Sequence, residues 1–290
     1  MLLSPAQLKH CDALALHARR AFTGASKGEK RSTKRGSSVE FADFRAYNYG
    51  DDIRRIDWNA YARFDRLFLK MFLEEEDLDI SILLDGSASM SFGQPQKWRA
   101  ATQIAGALSY IGLTNFDRVT VALWNENGLQ IHPPARGKGA ISPVFEFLER
   151  HNAGGNADFS EAAKRFALRS KRSGLAFVIS DFLFPGGYES GLKTLAARGF
   201  EMTAIQLLSR EELEPKLLGD LKLVDSESGQ IKEISVSASL LRRYRANLEN
   251  YTRDLRGFCL RYGMNFVQTG SDIGAEDVVS RLLRGTGVVK

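Results

Sequence analysis

The chain has 290 residues and carries 40 Lys+Arg against 35 Asp+Glu, a formal net charge of +5, with 43% hydrophobic and 26% charged residues. That composition suits a folded globular chain and excludes global disorder, while two cysteines far apart, Cys11 and Cys259, exclude a disulfide framework or a cysteine-built zinc site. The charge excess lies in residues 1–36, with eight basic and two acidic groups, and the remainder is balanced at 32 basic and 33 acidic, which excludes a scaffold basic throughout and built for nucleic acid.

From the front, residues 1–22 are predicted as a short amphipathic helix, with Pro5 in its first turn and Leu8, Leu14 and Leu16 on an apolar face. Residues 23–38 are rich in Gly, Ser and Lys/Arg and are predicted as a linker. Its Lys27–Arg35 run reads as a solvated loop or as a contact for phosphate or acidic lipid. Residues 39–77 are dense in aromatics, with a strand predicted over Leu67–Glu75, the Glu74–Asp77 run a solvated strand end, and the rest irregular but well packed.

From residue 78 apolar strands alternate with helical spacing. Strands are predicted at 78–84, 118–124, 175–180, 200–208 and 264–268, with Leu129–His132 a hairpin partner and a further hairpin at 222–225 and 230–236. Helices are predicted from Trp98 to Ile111, near 141–151, 159–171 and 188–198, over Leu241–Tyr262 with Gly263 as its stop, and over Ala275–Arg284. The Leu241–Tyr262 stripe suits packing on the chain's own sheet or a coiled-coil seam. The alternation means an α/β fold with a mainly parallel sheet. Three regions are expected: a basic helix and linker at 1–36, a segment at 37–77 packed on the core, and an α/β domain at 78–290.

The longest uncharged run, Ala100–Phe116, contains Thr102, Gln103, Ser109, Tyr110 and Asn115 and falls short of the roughly 18–20 apolar residues that span a bilayer. Lys9, His10 and Asp12 interrupt any signal-peptide stretch. A cytoplasmic location without membrane insertion is the expectation.

Asp85-Gly86-Ser87-Ala88-Ser89 follows directly on a buried strand. In an open parallel sheet ligands bind outside the carboxyl ends of the strands. One carboxylate and two hydroxyls there are hard oxygen donors suited to Mg²⁺ or Mn²⁺; the same five residues also make an Asp-Gly turn followed by a helix cap. Asp181 ends a second buried strand, and Gly154-Gly155-Asn156-Ala157-Asp158 is a glycine-rich loop opening a helix. Converging on one edge, the three loops would have the arrangement a metal site needs.

Asp85–Ser89, Gly154–Asp158 and Asp181 resemble the metal-ion-dependent adhesion site of von Willebrand factor A-type domains. Val39–Tyr47, Gly50–Trp58 and Ala62-Arg63 further resemble a widespread bacterial family, the "domain of unknown function 58" family, whose members are commonly encoded beside MoxR-type AAA+ ATPases. The resemblance runs from about residue 37 to at least residue 210. It implies a von Willebrand A-like, Rossmann-like fold and a role with a MoxR-type ATPase in chaperone-like maturation or assembly of a client protein. It implies Asp85, Ser87 and Ser89 as the first metal loop and Asp181 as the third, with Mg²⁺ or Mn²⁺ bound. Where the fold usually has a threonine this chain has Asn156, which could lend an amide oxygen, or Ala157, which could not. Many family members carry membrane-spanning helices upstream, so a soluble version is implied.

Arg54 and Arg55, beside Asp51, Asp52 and Asp57, form either a partner-docking face or a buried turn anchored by Trp58. A binding and assembly module is the leading expectation. A phosphohydrolase using Asp85 lacks a second carboxylate two residues on, where Ser87 stands, and lacks a P-loop; no motif places a His, Lys or Cys as acid, base or nucleophile. Nucleic-acid binding through the basic front end is a further alternative that the balanced body does not support.

Overall fold

The computed structural model describes residues 2–18, 41–49, 51–72, 78–217, 219–224 and 230–290. The Lys27–Arg35 run, Val39, Glu40, Gly50, Glu74–Asp77 and the Ser226–Gly229 turn lie outside the described residues. In chain order come α1 (Pro5–Cys11), β1 (Phe41–Ala46), α2 (Trp58–Phe64), β2 (Phe68–Phe72), β3 (Asp79–Asp85), α3 (Lys97–Thr114), β4 (Arg118–Asn125), β5 (Gly128–Arg136), α4 (Ile141–Arg150), α5 (Phe159–Arg169) and β6 (Leu175–Ser180). There follow α6 (Glu189–Ala197), β7 (Glu201–Leu208), the single turn α7 (Arg210–Leu213), β8 (Gly219–Val224), β9 (Ile231–Val236), α8 (Ala238–Arg261), β10 (Asn265–Gly270) and α9 (Ala275–Asp277), which runs on into a π-helical stretch, Val278–Leu283.

The chain divides into two compact units, Gly24–Asp77 and the rest. The larger unit is built on a six-stranded sheet in the order β10-β7-β6-β3-β4-β5, parallel throughout except for β5, which pairs antiparallel with β4 at one edge. This is the α/β architecture with a mainly parallel sheet expected from the strand–helix alternation. β3, β6 and β7 are near-continuous apolar runs because helices cover both faces. Ile80, Ile82, Leu84, Phe177 and Ile179 pack with α3 on one face, and Leu83, Ala176 and Val178 pack with α5, α6 and the end of α8 on the other.

The front of the chain differs from expectation. The helix spans only Pro5–Cys11, started by a Ser4–Gln7 capping box. Beyond it Leu16 forms a bridge with Val289, and Leu2, Leu3, Leu14 and Leu16 lie buried in the same core as α3. Leu14 and Leu16 alternate at the period of extended chain, so one side of a short strand-like stretch is buried rather than one face of a helix. Residues 2–18 therefore belong to the body of the domain. α8 also departs in part: Leu255, Phe258 and Cys259 are buried on the sheet, but its first half, including Tyr244, is solvent-exposed. Among the described residues no helix is long and apolar enough to cross a membrane.

The smaller unit contains more regular structure than expected. β1 and β2 pair antiparallel, and a 3₁₀ turn at Ile53–Arg55 and α2 lie between them in sequence. Ile56 bridges to Leu69, and both are buried. Asp57, proposed above for partner docking, is buried and caps α2, its Oδ1 accepting from the amides of Asn59 and Ala60. Asp52 accepts from the Arg54 amide, while Asp51 pairs with Arg45 at 2.7 Å. Arg54 is exposed, and the Arg55 side chain lies outside the described residues. Trp58 is no buried anchor: it is 62% exposed and meets Tyr61 edge-on.

Candidate functional site at the carboxyl edge of the sheet

β3 and β6 are neighbours at the centre of the sheet, so their carboxyl ends bring Asp85 and Asp181 to one place. Asp85 is fully buried. Its Oδ1 accepts from the Ser87 amide (2.9 Å), an Asx-type turn, and its Oδ2 accepts from Ser180 Oγ (2.6 Å). The turned chain sets Ser87 Oγ and Ser89 Oγ 3.1 Å apart, and Ser89 Oγ donates to Asp181 Oδ2 at 2.8 Å. First and third loops are thereby joined through side chains 92 positions apart in sequence.

The glycine-rich loop is tied to the first loop through its backbone, and Ser91 Oγ donates to Ala153 O at its entry (3.1 Å). Ala88 N donates to Gly155 O and Gly154 N to Gly86 O, both at 2.9 Å. The two glycines at this junction are required: a Cβ on Gly86 would lie 2.6 Å from Leu123 Cδ1, and Gly155 has φ +68° with Glu126 packed where a Cβ would point. Asp158 then caps α5 by accepting from Glu161 N. So Asp85, Ser87, Ser89 and Asp181 are gathered as expected. Asn156 stands exposed on the adjoining loop, and among the described residues no hydrogen bond ties it to the cluster. Ala157 packs against the core beneath.

Two residues of the cluster escaped sequence reasoning. Lys97, in the first turn of α3, is 0% exposed, and its Nζ donates to Asp181 Oδ2 (2.7 Å) and Glu212 Oε1 (2.6 Å). Glu212 is held by a capping box at α7: its Oε2 accepts from Ser209 N (2.7 Å), while Ser209 Oγ accepts from Glu212 N. A signal existed. A lysine at a helix N-terminus opposes the helix dipole, which points to an anion nearby, and Ser-x-x-Glu stands immediately after a buried strand. Burial disfavours the Lys97 ammonium, but the charges of Asp181 and Glu212 and their hydrogen bonds outweigh it and hold its pKa above the ordinary lysine value.

The third loop is strained. Phe182, directly after Asp181, adopts φ +59°, a left-handed conformation that a bulky residue rarely takes. It is held there on several sides: its N–H donates to Ser180 Oγ (2.8 Å), its carbonyl accepts from Tyr251 Oη of α8 (2.5 Å), and Gln206 Nε2 donates to the preceding carbonyl of Asp181 (3.2 Å). Leu183 N donates to Asp181 Oδ1 at 3.0 Å, completing a second Asx-type turn.

Burial, and then the charge of Asp181, push the Asp85 carboxyl up to about 7, against the hydrogen bonds from Ser180 and Ser87 that pull it down. The native state thus keeps a proton that the unfolded chain has already lost above pH 4, and the contribution of Asp85 to stability falls as pH rises from about 4 to about 7. Asn at this position can still accept from Ser87 N through Oδ1. In the presence of a chelator, Asp85→Asn is expected to gain on the wild type by on the order of a few kcal/mol between pH 5 and pH 8. Parallel urea-denaturation profiles across that range would refute the assignment.

Among the described residues no group of three or more His, Cys, Asp or Glu side chains is gathered to hold a metal ion. A cation here would therefore lean on the serines. Their oxygens, 3.1 Å apart, are close to the spacing of about 2.9 Å between adjacent oxygens in an octahedral Mg²⁺ shell with ligands at about 2.0–2.1 Å. With two carboxylates beside them, these hard donors fit a small divalent cation.

The family described as "Protein of unknown function DUF58" matches residues 43–254. An uncharacterized protein of Mycobacterium tuberculosis (Rv1480) is 27% identical over 253 residues, spanning 84% of this chain and 80% of its own length. Among solved structures, the conserved hypothetical protein BatB from Bacteroides thetaiotaomicron aligns over 72% of this chain and 98% of its own, with 14% identity and a TM-score of 0.43. The SpRpn10 VWA domain aligns over 70% and 94%, with 13% identity and a TM-score of 0.42.

Proposed function

This chain belongs to the family described as protein of unknown function DUF58, and on that footing we propose that it is a non-enzymatic protein-binding and assembly module that works with a MoxR-type AAA+ ATPase in the maturation of other proteins. The observation carrying this reading is the convergence of three loops at the carboxyl edge of the sheet, where Ser89 Oγ bonds Asp181 and the glycine loop is laced to Gly86 and Ala88. Ser89 and Ala88 reach partway to solvent, and the exposed side chains of Phe92 and Leu183 flank them. A polar centre with apolar neighbours suits a protein surface.

Ser87 and Ser89, backed by Asp85 and Asp181, would hold Mg²⁺ or Mn²⁺ there. Bound, such an ion would offer a partly neutralised positive point to a carboxylate of the partner. The serines would orient the ion, and the Asp85 turn would fix the serines.

The double variant Ser87→Ala, Ser89→Ala removes two hydroxyls and keeps the strand ends. Co-purification of the native protein with and without ATP should recover a AAA+ ATPase with the wild type, and the double variant should recover at least about tenfold less, the scale of a lost interaction of 1–2 kcal/mol. Equal recovery with a correctly folded variant would refute this site as the docking point.

A further inference from the structure

The described residues place one fixed cation inside the candidate site. Lys97 Nζ lies 2.7 Å from Asp181 Oδ2 and 2.6 Å from Glu212 Oε1, with no exposure to solvent. Asp181 Oδ2 also accepts from Ser89 Oγ, so both lone-pair directions of that oxygen are engaged. We propose that Lys97 is an internal competitor for the divalent cation: its ammonium occupies the Asp181 carboxylate, holds the three loops assembled without a metal, and sets how tightly a metal can bind. This deepens the metal part of the function proposed above and rests on it.

The charges make the competition concrete. Two carboxylates, Asp181 and Glu212, share the single ammonium of Lys97, so a cation already stands where a metal would be drawn. Without Lys97 neither carboxylate would be offset, and Asp181 Oδ2 would be open to the ion. The second partner of Lys97 matters as well. Glu212 is fastened to the start of α7 by its capping box, so an ammonium displaced from Asp181 still has a carboxylate to rest on. Metal arrival would shift Lys97 toward Glu212 rather than expel it into an apolar interior. Affinity is thereby tuned by a residue that need not touch the ion.

The test is calorimetric titration of MgCl₂ and of MnCl₂ into the full chain as wild type, Lys97→Met and Lys97→Gln. The glutamine variant keeps amide donors for Asp181 and Glu212 and guards against a misfolded methionine variant; circular dichroism checks each. The expected result is that both variants bind the ion at least about tenfold more tightly than the wild type, since a like charge within a few ångströms has been removed. Wild type without detectable binding and variants with it would support the competitor and refute metal occupancy in the native protein. Equal or weaker binding by the variants, with the wild type binding, would overturn the competitor and leave the metal reading standing. Absence of binding in all three would overturn both. If both variants are unfolded without metal, refolding on addition of millimolar Mg²⁺ supports the proposal, and failure to refold overturns it.

Discussion

Asp181→Ala is expected to be the most damaging single substitution at the sheet edge, costing about 3–5 kcal/mol, the scale of leaving a buried charge without its partner. Three groups lose an acceptor at once: the fully buried Lys97 ammonium, the Ser89 hydroxyl and the Leu183 amide. Glu212 remains for Lys97, but its side chain is partly exposed, so it cannot replace a second buried carboxylate. Combining Asp181→Ala with Lys97→Met should recover a large part of the loss, because the uncompensated charge is removed with its partner. Urea denaturation of the two single variants and the double variant measures this directly. Additive losses would mean that the pair is not coupled.

Phe159→Ala should cost about 3–5 kcal/mol, as for other buried Phe truncations. The ring is the first helical residue of α5, immediately after the glycine-rich loop. It stacks on Phe184 at 5.0 Å and 14°, meets Phe182 edge-on at 6.3 Å, and lies 5.3 Å from Trp124. One side chain therefore props the second loop, the third loop and the end of β4. Gly191 of α6 approaches it so closely that a Cβ there would overlap its ring, so little can collapse into the cavity from that side. The denaturation midpoint should fall with the m-value unchanged, and the same variant should recover less partner than its remaining folded fraction predicts. A loss below about 1 kcal/mol would mean that the neighbouring rings close the gap.

How much of this could be read from residues alone follows from where the information sits. β3, β6 and β7 were legible because strands covered on both faces are largely apolar, and β3 and β6 end on polar residues, Asp85 and Ser180, that mark the sheet edge. Asp85, Ser87, Ser89 and Asp181 were legible for the same reason: their positions follow from local strand ends and from the rule that sites form there. Lys97 and Glu212 were not. Each carries only the local signal of a residue opening a helix, and what it pairs with lies 115 positions away in sequence. The front segment misled in the opposite way, because Leu8, Leu14 and Leu16 fit a helical face loosely while Leu14 and Leu16 fit an extended stretch as well. In the smaller unit β2 falls within the strand predicted over Leu67–Glu75, but β1 and its antiparallel pairing were hidden, since aromatic density blurs the alternation and 21 residues separate the two strands.

The sheet order β7-β6-β3-β4 has a consequence in time. Ser89 reaches Asp181 only after β4, β5, α4 and α5 have been made and β6 has docked on β3, and Lys97 reaches Glu212 only after β7 has joined as well. Closing such long loops is the slow part of forming a parallel sheet. A chain still emerging from synthesis, or one stalled with an open sheet, has Asp85 and the serines but not Asp181 and Glu212. The rim therefore records that β3, β6 and β7 have joined, a state that a chain stalled with an open sheet does not reach.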